Sequence, residues 1–178
     1  MIDRRTQSTR LVLGVLCALG VASSRLFAQE PAAPQAVSPA QLQAAIDALG
    51  KLDYAVRTKA SRNVRRTPAA QAVPALLQAV SEHADGYVRY RALVLLTGFN
   101  DPRTKDVMRE SLTSPNDRLR AVAYSFFEHT PTPALTTQFL AALDKEQGQF
   151  VRPSLVRAVA ALADRCFAAS YFRKLSLA

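Results

Sequence analysis

An aliphatic residue followed by arginine recurs along this chain at a near-fixed interval, and that recurrence constrains the fold more than any other feature. Val56 with Arg57, Val88 with Arg89, Leu119 with Arg120 and Val151 with Arg152 stand 32, 31 and 32 residues apart. Asp53 and Asp85 precede the first two pairs by three positions. Ala60, Ala92, Ala123 and Leu155 follow the four arginines by three. A period of this length means one supersecondary unit copied along the chain. Units of that kind bury their apolar faces only by stacking on one another.

Each copy divides into two stretches with helical periodicity, and the turn chemistry marks their ends. The first unit predicts helices over 39–49 and 53–66. Ser38 with Pro39 makes an N-cap and first helical position, and Gly50 a C-cap. The second predicts helices over 69–82 and 86–98, where Val73, Leu76, Leu77 and Val80 follow the i, i+3, i+4, i+7 pattern of one buried face. The third predicts 102–113 and 116–128, opened by Asp101-Pro102 and by Ser114-Pro115. The fourth predicts 133–146 and 149–163. The remaining stripes are Leu42, Ile46 and Leu49; Val56, Ala60 and Val64; Val88, Ala92, Leu95, Leu96 and Phe99; Val107, Met108 and Leu112; Leu119, Ala123, Phe126 and Phe127; Leu135, Phe139 and Leu143; and Val151, Leu155, Val159 and Leu162. Helices this short are marginal alone in water, so stability has to come from stacking.

The phrases Asp53-x-x-Val56-Arg57-x-x-Ala60 and Asp85-x-x-Val88-Arg89-x-x-Ala92, with the proline turn Asp101-Pro102-Arg103, resemble the HEAT-repeat family, particularly short bacterial HEAT-like and armadillo-type units. The resemblance covers about 38–165. It implies an all-α fold, a right-handed α-solenoid (α-α superhelix) of about four HEAT-like helix pairs. It also implies that Arg57, Arg89, Arg120 and Arg152 belong to a structural ladder in which each arginine pairs with an aspartate of a neighbouring unit, Asp53 and Asp85 being the available partners. Asn116 and Gly148 stand where the third and fourth units would carry that aspartate.

The ends of the chain read differently. Arg4, Arg5 and Arg10 precede an uninterrupted apolar run, Leu11 to Ala22, and then a more polar stretch ending at Ala28. That is the layout of a secretory signal peptide. Twelve apolar residues cover roughly 18 Å as a helix, short of the roughly 30 Å hydrocarbon core. Residues 1–28 are therefore expected to be a signal peptide and 29–38 a flexible Pro/Ala-rich linker. The HEAT-repeat domain is expected over 39–165, and an irregular or capping C-terminal tail over 166–178. The expected destination is the bacterial periplasm or the exterior, with membrane contact only through an uncleaved signal segment. Removal of the signal would leave Cys166 as the sole thiol and exclude an intrachain disulfide.

The formal charge is +9. Arg4, Arg5, Arg10 and Arg25 against Asp3 account for part of it, and the rest of the chain holds 19 basic and 13 acidic residues. A mildly basic body points to an acidic partner, and export argues against nucleic acid. The second helices form the natural binding face, with Arg91, Arg118 and Arg157 as cations that the ladder does not claim. Tyr87 and Tyr90 flank Arg89, and tyrosine beside arginine is a composition typical of binding hot spots. No catalytic residue, metal site or cofactor is expected: the two histidines, His83 and His129, sit at helix ends, and no HxxxH, CxxC, GxSxG or glycine-rich phosphate loop occurs. The expected function is an interaction scaffold for another protein or peptide. The alternatives are a basic surface for nucleic acid or anionic lipid, and a fragment of a longer array.

Overall fold

The computed structural model describes residues 36–175, with side chains as far as Arg165. The expected signal peptide, most of the linker and the last three residues lie outside the described ones. Among the described residues every regular element is a helix. In chain order these are α1 (Pro39–Asp47), α2 (Tyr54–Arg66), α3 (Ala69–Glu82), α4 (Gly86–Leu96), α5 (Arg103–Ser111), α6 (Asp117–His129), α7 (Thr136–Lys145) and α8 (Arg152–Leu175). Short 3-10 turns follow α1 and α4 and precede α7. None of the described helices is long and apolar enough to cross a membrane.

The helices pack in pairs, α1 on α2, α3 on α4, α5 on α6 and α7 on α8. The second helices α2, α4, α6 and α8 also pack each on the next, and α1 touches α3. This is the stacked helix-pair arrangement of a helical-repeat solenoid. The expected stripes supply most of its interior. Ile46, Leu49, Val64, Val73, Leu76, Val88, Leu96, Met108, Leu119, Phe127, Phe139 and Leu155 are all fully enclosed. Burial of a side chain of this size is worth about 1.5–3 kcal/mol. Tyr124 and Phe127 both set their rings edge-on to Phe139, at 5.2 and 6.0 Å between centroids, which ties α6 to α7. The one core leucine outside the expected stripes is Leu93. It is buried because α4 is flanked by α3, α2 and α6 and so encloses more than one face.

Three expectations are corrected. Val56, placed on the buried stripe of α2, is 42% exposed, while its counterparts Val88, Leu119 and Val151 are at most 1% exposed. Each counterpart sits on a preceding unit; among the described residues no unit precedes α1. Gly50 is not a left-handed C-cap, since no described glycine has positive φ. It serves close approach instead: a Cβ there would lie 2.6 Å from Asp85 Oδ2 and 2.8 Å from Val88 Cγ2, so the second unit seats directly on this glycine. Finally, α8 does not end near residue 163 but continues as helix to Leu175, so the segment from 166 is backbone-continuous with the last repeat.

Candidate functional site

The recurring phrase solves a capping problem, which determines which of its residues remain available for binding. A helix leaves its first four N–H and last four C=O groups without partners. Asp53 caps α2 by accepting from Val56 N (3.0 Å), Asp85 caps α4 by accepting from Tyr87 N (2.8 Å), and Asn116 caps α6 by accepting from Arg118 N (2.9 Å). The arginines reach backwards to the turn that precedes their own helix or to the last turn of the helix before it. Arg57 donates to Lys51 O and Leu52 O, Arg89 to Val80 O (2.8 Å), Arg120 to Ser114 O (2.8 Å), and Arg152 to Leu143 O and Glu146 O (both 3.1 Å). The ladder implied by the family resemblance therefore takes another form. Asp53 and Asp85 spend their carboxylates on backbone N–H groups. Arg57, Arg89 and Arg152 spend their guanidiniums on carbonyls.

Only Arg120 adds carboxylates. It grips Glu146 through Nε (2.9 Å) and a terminal nitrogen (3.0 Å), and it reaches Asp117 at 2.7 Å. Glu146, 8% exposed at its side chain, also accepts from Gly148 N at 2.8 Å. It thus supplies, two positions early, the acid that the fourth unit lacks at Gly148. The Arg120 guanidinium holds the Glu146 carboxyl below the usual glutamate range, and the Arg120 pKa is raised in return. Burial, reinforced by the Glu146 charge, pushes the nearby Tyr124 hydroxyl up.

The binding candidates divide into a cluster and an outlier. Tyr87 and Tyr90 lie 5.7 Å apart, ring centre to ring centre. Arg118 from α6 stacks over both rings, at 5.4 Å and 5.8 Å, and Arg91 stacks on Tyr87 at 5.4 Å. Two guanidiniums are thereby drawn to one tyrosine. Among the described residues neither makes an ion pair, and Arg91 Nε is buried without a hydrogen-bond partner. Asp117, next to Arg118 in the chain, is turned to Arg120 instead. Arg157 is elsewhere. It donates to Glu128 at 3.0 Å and to Ser154, so its charge is matched within α6 and α8, and the expectation of three unclaimed arginines is corrected to two.

A groove runs from the cluster along α6. Tyr90, Asn116, Arg118, Val122, Ser125 and Phe150 line its first stretch, about 500 Å³. Val94, Thr97, Asn100, Val122, Ser125, Phe126 and His129 are among those that line its second, about 470 Å³. Val122 and Ser125 line both, so the two stretches adjoin along α6. Tyr90 and Val94 share one face of α4, with Thr97 in the 3-10 turn that follows it, and Arg118, Val122, Ser125 and His129 succeed one another at turn spacing along α6. Phe150 is 84% exposed at the groove's edge, and Tyr54, on α2, is 73% exposed.

His83 Nδ1 accepts from Asp85 N, its Nε2 lies 3.4 Å from Asp47, and His129 Nδ1 lies 2.8 Å from Ser125 O. Among the described residues no group of three His, Cys, Asp or Glu side chains could hold a metal ion. The Cys166 side chain lies outside the described ones.

Stacked helix pairs with caps at a fixed period define a helical-repeat protein of the α-solenoid class. The family profile for HEAT repeats matches residues 73–163, just over half of the chain, and the chain belongs to the HEAT-repeat family. HEAT repeats generally mediate protein–protein interaction as scaffolds, typically without catalysis. No curated protein and no solved structure matches the chain.

Proposed function

We propose that this protein is an exported HEAT-repeat scaffold that binds a partner protein through its second-helix face, in the bacterial periplasm or outside the cell. One observation carries the reading: Tyr90 and Arg118, which cluster with Tyr87 and Arg91, line a groove together with Val94, Val122, Phe126 and Phe150. Tyrosine and arginine are residues on which binding energy concentrates, and phenylalanine is enriched at interfaces relative to the rest of the surface. Uncompensated cations at one end favour an acidic partner, since a complementary charge speeds encounter and selects orientation. Export rests on the basic, apolar and polar succession of residues 1–28. It also makes a protein a better partner than nucleic acid.

The test is crosslinked capture from a cell-envelope fraction with the full chain as bait, beside a form carrying Arg91→Glu and Arg118→Glu. A protein captured by the first bait and lost from the second supports the scaffold. Equal capture by both moves the binding face elsewhere.

A further inference from the structure

The scaffold reading names a face, and on that reading the geometry of the face specifies the ligand's pattern. We propose that the Arg118 end of the groove, with Arg91 on the shared Tyr87 ring as a second cation, is a carboxylate site, and that the groove takes an extended peptide segment with one acidic side chain and large apolar side chains two and four residues from it.

The anion requirement follows from the cluster. Two guanidiniums held at one tyrosine repel one another, and the cost is offset only in part by the ring faces. A carboxylate at Arg118 would offset this excess of positive charge. Among the described residues Arg118 makes no ion pair, so its N–H donors remain available to grip a carboxylate through two parallel bonds. Arg118 is oriented by two rings, so little side-chain freedom remains to be lost on binding.

The spacing follows from α6. Arg118, Val122 and Phe126 succeed one another along the helix at four-residue intervals. At 1.5 Å per residue they stand roughly 6 and 12 Å from the cationic end. An extended chain advances about 3.3 Å per residue and turns alternate side chains to one face. Two residues cover about 6–7 Å and four about 13 Å, which matches both stations. A helix along the groove would instead present its acidic and apolar side chains three or four residues apart, a spacing that the library distinguishes. The apolar lining and the small number of free cations also favour a peptide over a polyphosphate backbone, which is bound by many Lys and Arg contacts.

The experiment uses the full chain and a positional library of hexapeptides, acetylated and amidated so that only side chains carry charge. The expected selection is Asp or Glu at one position with Leu, Ile, Phe or Met two and four positions away. A fluorescein-labelled peptide of the selected sequence should bind at least about tenfold more weakly to Arg118→Gln and to Arg91→Gln. It should bind unchanged to Arg157→Gln, whose charge is already matched. Val122→Glu should also lose binding. Helical content by circular dichroism checks each variant, and Arg118→Lys, which keeps charge but loses the flat stacked edge, should restore binding only partly. Absence of an acidic preference, an acidic preference that survives both glutamine variants, apolar positions spaced by three or four, or displacement of the peptide by a DNA duplex would each overturn the proposal. If envelope capture succeeds while the library shows no such pattern, the proposal falls and the scaffold stands. The reverse outcome keeps the carboxylate site and removes the envelope partner.

Discussion

An arginine that reaches back to the carbonyls of the turn before its own helix does two jobs: it satisfies acceptors that a helix end leaves bare, and it fixes the angle at which the second helix leaves the first. In the third unit the same side chain also holds Glu146, and here the energetic stake is largest. Glu146→Gln removes the charge of one partner while Arg120 keeps Asp117 and Ser114 O, so the loss is that of charge-assisted hydrogen bonds, about 1.5–2 kcal/mol. Glu146→Gln should lower stability by about that amount in urea denaturation. The sign of the pH dependence follows from the direction of the shift. Glu146 in the folded chain holds its proton less firmly than its usual 4.5. Its contribution is therefore complete above that value and is lost as pH falls through the lower folded one. The wild-type protein should lose stability through that acid range more steeply than Glu146→Gln. Asp101, held low by Arg103, contributes in the same direction and is common to both proteins. Asp85→Ala, which removes the cap of α4, should cost about 1 kcal/mol.

The helix bounds read from the sequence agree with the observed ones to within one to three residues at most ends, because caps, prolines and apolar periodicity are local signals. What an element buries is not local. Val56 and Val88 occupy the same place in the same phrase, yet among the described residues only Val88 has a preceding unit to cover it. Val88→Ala should cost about 2 kcal/mol, whereas Val56→Ala should fall within about 0.5 kcal/mol of wild type, in paired denaturant titrations. Equal costs would mean that something covers Val56. Gly50→Ala should destabilise by about 1–3 kcal/mol, because the added methyl meets Asp85 and Val88 from the next unit.

At the scale of the molecule the sequence announced the repeat and the candidate face, and left the pairing across units hidden. Arg118, Tyr87 and Tyr90 could be named from composition and position. That Arg118 would stack on both rings could not, since the residues belong to different helices. Arg120 with Glu146 and Arg157 with Glu128 are separated by 26 and 29 residues. These distances are close to one period, and no spacing rule distinguishes such a contact from its neighbours. Arg157 was therefore grouped with the unclaimed cations, and Glu146 was not singled out at all. A regular offset near 28 residues between facing positions, Tyr90 to Arg118, Val94 to Val122 and Thr97 to Ser125, was the one available clue to the groove.

The central claim is that a partner lies in the groove between α4 and α6, and site-specific photocrosslinking in living cells tests it most directly. A photoreactive residue at Ser125, inside the groove, should give a single adduct of higher mass, and one at Lys105, on α5, should give none. Loss of the Ser125 adduct on Arg91→Glu with Arg118→Glu would complete the expected result. An adduct from Lys105 with none from Ser125 would contradict the account and transfer the binding face to the first helices.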